Sequence, residues 1–152
     1  MSDTFYKSLA VDVSRAQQAT NVTLSRATCK LKVSVDDELP ADAQTMSIKT
    51  GNWYKGIDYI DGSAADMSQQ NFEVDITDGT KTVGILSISP ETCTTDVTVS
   101  IKTATKTESV TAENVPLYRN RETTLHGNLF GSQQGLSIGI DDRWGEAAEK
   151  QW

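Results

Sequence analysis

The chain is poor in the residues that most often carry chemistry. It has one histidine, His126, and two cysteines, Cys29 and Cys93, among 152 residues. Neither cysteine has a second Cys or a His at metal-ligand spacing, so the sequence offers no zinc site. Two readings of the thiols stay open: one disulfide in an exported protein, or two buried thiols acting as small apolar side chains. There is no G-x-S-x-G elbow, no P-loop and no G-x-G-x-x-G, so the motifs of common hydrolases and nucleotide binders are missing. No enzymatic activity, cofactor or metal is expected.

Other absences bound the class. No apolar run approaches the roughly 20 residues of a membrane helix. The start, Met1-Ser2-Asp3-Thr4, lacks the basic and apolar regions of a signal peptide. That suits a cytosolic protein, or a mature portion cut from a longer secreted precursor. No basic cluster offsets the formal charge of −7, with 21 acidic against 14 basic residues. Such a field opposes phosphate backbones, so nucleic acid is not an expected partner. There is no internal repeat and no low-complexity linker, so one domain spanning 1–152 is expected. A chain of this size buries roughly 68–70% of its unfolded surface. Helical spacing is confined to the tail, 142–152, where Glu146 and Lys150 stand at i,i+4. A frayed terminus is the other reading of that tail.

What is abundant is strand-type alternation. Leu9, Val11 and Val13 alternate with polar residues, as do Val22 and Leu24. The apolar parity then changes to Ala27, Cys29, Leu31, Val33 and Val35, next to Arg26. A parity change inside one run predicts a β-bulge or a strand switching sheets. Met46 and Ile48 open another strand, which Gly51-Asn52 should end, and Ile57 and Tyr59 form a short pair. Phe72, Val74 and Ile76 run into Asp78-Gly79, a hairpin signal because Gly tolerates positive φ. Val83 and Ile85, then Leu86 and Ile88, show a second parity slip before Pro90. Val97, Val99 and Ile101, then Val115 and Leu117, then Leu136, Ile138 and Ile140 complete the set, ended by Asp141-Asp142. The expectation is an all-β, Greek-key (transthyretin-like) sandwich of about 7–10 strands with little helix.

Few polar groups suggest a site. Asp36-Asp37-Glu38 and Asp141-Asp142 lack EF-hand spacing and read as solvated loop acids, as do Asp58 and Asp61. Trp53, Tyr54 and Tyr59 are candidates to stack on a sugar ring, or to cap one end of the sandwich. Asn21-Val22-Thr23 matches a glycosylation sequon. The most distinctive stretch is 113–130, ENVPLYRNRETTLHGNLF. Here Val115-Pro116 should start a strand where no ladder donor is needed. Arg119 and Asn120 can tie a crossing loop to backbone carbonyls. Gly127 admits a backbone that other residues resist, and Asn128 can cap the same turn. His126 reads as a polar strand-edge residue. The stretch reads as a junction between two sheets.

The same stretch resembles a pattern, roughly V-P-L-x-R-N-x-x-T-x-I-x-G-N-L, in the fimbrillins and fimbrial accessory lipoproteins of Bacteroidales-type bacteria. The matching positions include Val115, Pro116, Arg119, Asn120, Thr123, Gly127 and Asn128. Phe5–Leu9 leading to Leu24–Ala27, and Leu31–Val35 followed by Leu39-Pro40-Ala41-Asp42-Ala43, resemble further family segments. The family usually has an aromatic or basic residue where Glu122 stands, and an apolar or basic one where His126 stands. The resemblance implies a structural or adhesive component of a cell-surface fimbrium, anchored through a lipid upstream of this chain. It also implies assembly with other fimbrial subunits by β-strand addition, and adhesion to a host or bacterial surface ligand. The first strand near Phe5–Ser14 and the last near Leu136–Ile140 are candidates for the exchanged edge. The alternative is a cell-surface carbohydrate-binding module using Trp53, Tyr54 and Tyr59.

Overall fold

The computed structural model describes residues 2–12, 14, 21–131 and 134–141. The expected C-terminal helix, with Asp142 and Val13, lies outside these residues. Within them the structure is all-β. Ten strands follow in order: β1 (Phe5–Tyr6), β2 (Ser25–Arg26), β3 (Thr28–Val35), β4 (Ala43–Ile57), β5 (Ala64–Asp75), β6 (Thr82–Ile88), β7 (Thr92–Thr103), β8 (Thr107–Tyr118), β9 (Glu122–Asn128) and β10 (Gly135–Asp141).

β1 and β2 pair only with each other. The other eight are hydrogen-bonded in the order β10-β9-β3-β6-β4-β7-β8, with β5 on the far side of β4. This sheet folds over at β6–β4, where a single pair, Tyr54 with Ile88, joins the halves. The strands β10-β9-β3-β6 therefore face β5-β4-β7-β8 in a nearly closed sandwich. All the pairings are antiparallel except β3 with β9, which is parallel.

The core is the set of inward residues that alternation predicts. Cys29, Leu31, Val33 and Val35 of β3 pack with Met46 and Ile48 of β4 and with Val97, Val99 and Ile101 of β7. Val115, Leu117, Leu125 and Leu129 close it. Each fully buried Val, Leu or Ile side chain contributes about 1.5–3 kcal/mol of transfer free energy.

Several local expectations change. The parity shift before Ala27 is a sheet switch: the chain leaves β2 and enters β3, and the Ala27 amide donates to the Thr4 carbonyl at 2.8 Å. Leu9 and Val11, by contrast, lie outside any strand, 45% and 57% exposed. Their alternation suits a half-buried strand, but among the described residues no sheet stands opposite to bury them. Gly79 takes φ +84, as its turn requires. The turn is nevertheless not a hairpin, because β5 pairs with β4 and β6 with β3. Alternating flanks cannot tell a hairpin turn from a crossing between sheets.

Gly51-Asn52 does not end β4. The strand continues, its β5 register shifting between Thr50 and Trp53, and its C-terminal part turns towards β6. The Asn52 amide there donates to the Thr95 hydroxyl at 3.0 Å. The parity slip at Leu86–Ile88 has the same cause, since Ile88 is where β6 reaches the opposite half. Val115-Pro116 lies inside β8 rather than at its start; Pro116 is tolerated because β8 is an edge strand.

Thr50 is wholly buried, and its hydroxyl finds no hydrogen-bond partner among the described residues. An unsatisfied buried hydroxyl destabilises. Replacing Thr50 with the near-isosteric Val should raise stability by about 1 kcal/mol in chemical denaturation. Ile101→Ala, which opens a cavity in the same core, should lower it by about 2–5 kcal/mol.

Candidate functional site

The stretch 113–130 spans the end of β8, the crossing to the opposite half, and all of β9. The register of β7 against β8 shifts between Thr95 and Val97, and Asn114 there adopts φ 53. Its amide donates to Asp96 Oδ1 at 2.8 Å. This irregularity moves the buried parity of β8 onto Val115 and Leu117. After Tyr118, residues 119–121 cross to the other half.

The crossing is tied on three sides. Arg119 Nε donates to the Ser89 carbonyl at 2.8 Å, and its backbone amide to the Glu91 carbonyl at 3.1 Å. The Asn120 amide donates to the Thr28 carbonyl at 2.8 Å, with Asn120 in the left-handed region at φ 61. Asn is among the non-glycine residues that tolerate that region best. Its side-chain Oδ1 accepts from Arg26 Nη1 at 3.0 Å. Just beyond, the buried Thr123 hydroxyl donates to the Pro116 carbonyl at 2.7 Å, linking β9 back to β8.

Gly127 sits within β9 opposite Leu136. A Cβ there would lie 2.0 Å from the Gly135 carbonyl oxygen, so close backbone approach requires the glycine. Asn128 ends the strand opposite Gly135. His126 is half-exposed, with Nδ1 at 3.0 Å from Asp36 Oδ2. Asp37 accepts from the backbone amides of Leu129 and Phe130, holding the start of the β9–β10 loop. The acids of 36–37 thus serve backbone and ring partners. Asp58 and Asp61 accept from the amides of Ile60 and Ser63, each at 2.8 Å, within the β4–β5 loop. The backbone and hydroxyl of Ser63 hold the Asp61 carboxyl below its usual range.

The aromatic trio does not form one platform. Trp53 is 1% exposed, edge-on to Phe72 with ring centroids 5.5 Å apart, so it belongs to the core. Its neighbour Tyr54 lies on the opposite face of β4, and Tyr59 stands in the β4–β5 loop, 85% exposed. Trp53 as a sugar-stacking residue is therefore corrected: inward parity on β4 takes its ring out of solvent. Both cysteines are free thiols, with Ser89 Oγ 3.8 Å from Cys93 Sγ. Burial pushes the Cys29 thiol up to about 12, and burial also raises Cys93.

Three recesses flank these elements, the smallest, of ≈ 270 Å³, lined by Tyr6, Ser25, Ala27, Asp61 and Arg119 among others. One, of ≈ 670 Å³, lies against the crossing and is lined by Phe5, Arg26, Glu91, Tyr118, Arg119 and Arg121 among others. Sequence reading singled out Arg26 only for its place beside the parity shift. It could not show that β1 and β2 bring Arg26 and Phe5 against the crossing. The second, of ≈ 420 Å³, lies between β5 and β6, lined by Trp53, Lys55, Gln70, Phe72 and the Gly84–Leu86 segment.

Comparison with known proteins places the chain at family level. Over residues 1–152 it matches, and belongs to, the family of unknown function DUF6562. No curated protein matches it. A structural neighbour is the crystal structure of "a putative cell adhesion protein from Bacteroides ovatus ATCC 8483", at 13% identity and a TM-score of 0.52. The superposition covers 78% of this chain and 46% of the neighbour, so the chain spans less than half of that protein. At that identity the similarity establishes the sandwich fold.

The crossing and the thiols each give a test. Arg119→Ala removes the bond to the Ser89 carbonyl and should lower stability by about 1–3 kcal/mol. A change within about 0.5 kcal/mol, the size of an ordinary surface substitution, would show that the crossing does not depend on it. Native protein at pH 8 should resist iodoacetamide at Cys29, because so little thiolate exists, and should label there only after unfolding. Mass-spectrometric site mapping reads both states.

Proposed function

We propose that this chain is a structural or adhesive module of a cell-surface fimbrium that takes up a strand from another subunit. The observation that carries this reading is the free side of β6. In the antiparallel pair with β3, the Val35 amide donates to the Lys81 carbonyl and the Ser89 amide to the Ala27 carbonyl. These bonds fix the phase of the ladder, so Val83, Ile85 and Ser87 direct their backbone groups to β3. The amides and carbonyls of Thr82, Gly84 and Leu86 then point the other way. Among the described residues, only Ile88 meets a strand on that side.

An edge of this kind is a template for strand addition. The recess beside it, with Trp53, Phe72 and Ile85 in its lining, suits apolar side chains of an incoming strand. On this reading β6 is favoured as the receiving edge over the first strand and β10, because the recess adjoins it. The fimbrillin-like pattern around Arg119-Asn120 and the adhesion protein among the structural neighbours support the same class of role. A lipid anchor and an outer-membrane location are what the same resemblance implies. The glycan-binding alternative at Trp53, Tyr54 and Tyr59 loses its central ring, since Trp53 is in the core.

Immunoblots of unboiled surface extract from native cells should show a ladder of regularly spaced heavy bands. Leu86→Pro deletes one outward amide and spares the β3 ladder. It should collapse the ladder to a single surface band while the purified domain stays folded by circular dichroism. A single band from the wild type, or a ladder unchanged in the variant, would overturn strand addition at β6.

A further inference from the structure

The recess against the crossing has a charge pattern that the fimbrial reading does not use. The chain as a whole carries −7, yet three arginines line this one cavity, with Glu91 as the acid in its lining. The three are not equivalent. Arg26 is neutralised by Asp3, with Nε 3.0 Å from Oδ2, and its cation lies 5.1 Å from the centre of the Phe5 ring. Arg121 lies with its cation 5.4 Å from the centre of the Tyr118 ring. Arg119 differs from both.

Arg119 is half-buried, and its Nε is fixed by the Ser89 carbonyl. No carboxylate among the described residues lies within 4.0 Å of its guanidinium, and neither terminal nitrogen has a hydrogen-bond partner there. A partly desolvated guanidinium without a counter-charge is costly unless an anion completes it. Because one edge of the planar fork is anchored, the remaining donors are held in place. Paired guanidinium donors match the two oxygens of a carboxylate, or of a sulfate, in bidentate fashion. Holding the donors in advance removes part of the ordering cost of binding.

The rest of the recess restricts what carries the oxyanion. At ≈ 670 Å³ it falls within the size range of small-molecule sites. Phe5 and Tyr118 supply apolar ring surface, and Thr92, Ser25 and Asn120 supply hydroxyl and amide groups. That combination of ring faces, neutral polar groups and a fixed guanidinium suits a sugar ring bearing an acidic substituent. We infer that this cleft binds an acidic saccharide, with its carboxylate or sulfate on the terminal nitrogens of Arg119. The inference does not depend on strand addition, because the cleft lies at the crossing and not at the β5–β6 side.

The test is a calorimetric titration of the folded chain at low salt with three matched probes: a glucuronic-acid-containing oligosaccharide, its sulfated counterpart, and the neutral glucose equivalent. One or both acidic probes should bind, the neutral one at least tenfold more weakly; the preferred acidic probe identifies the oxyanion. Arg119→Lys keeps a charge but loses the fork, and should weaken binding by about tenfold. Glu91→Gln removes the acid from the lining and should tighten binding severalfold, a gain that a damaged fold cannot produce. Failure of both acidic probes to bind would overturn the proposal. So would equal binding of the neutral probe, or affinities unmoved by both substitutions.

Discussion

Residues 119–121 carry the chain between the two halves of the sandwich, and the placing of β9 beside β3 depends on how that crossing is tied. A crossing loop brings polar backbone into contact with the core, and each such amide and carbonyl must find a partner. Here the amides of Arg119 and Asn120 donate to the carbonyls of Glu91 and Thr28, and the Arg119 side chain adds a bond to the Ser89 carbonyl; these partners come from β3 and from the turn between β6 and β7. Three chain segments far apart in sequence are thereby fixed to one another. The parallel pairing of β3 with β9, the one parallel pairing among the described strands, follows from that placement.

The same economy governs the other polar groups. Asp37 spends its carboxylate on two amides of the β9–β10 loop, and Asp96 holds Asn114 where β8 changes parity. His126 pairs with Asp36 at the surface. Asp36, Asp37, Asp96 and His126 are thus engaged in shaping a turn or an edge. Arg119 combines a structural bond with donors left over among the described residues, so the junction and the recess beside it share a residue.

Much of the fold was legible because burial on a strand has a period of two. The apolar residues at Cys29–Val35, Met46–Ile48 and Val97–Ile101 entered the core on the faces that their alternation implies. Parity changes were also informative: the one before Ala27 marked a change of sheet, and the one at Leu86–Ile88 marked the corner with β4. Glycine and proline were less decisive. Gly51 marked an irregularity within a strand instead of its end, and Gly79 marked a turn between sheets instead of a hairpin. Local backbone freedom says that the chain can turn, but not which strand awaits it.

The sequence by itself determined the class of structure and most of its core, since alternating β-branched and aliphatic residues can bury one face only as sheet. It also placed a tied polar segment at Arg119-Asn120, because those side chains are rich in donors. Only the tertiary structure decided which strands are neighbours, which side of β6 is left unpaired, and that Trp53 points inward. It alone brought Arg26 and Phe5 from the first strands against Arg119, across more than ninety residues of chain. Contacts between distant segments are set by the packing of whole sheets, and no local pattern of residues encodes them.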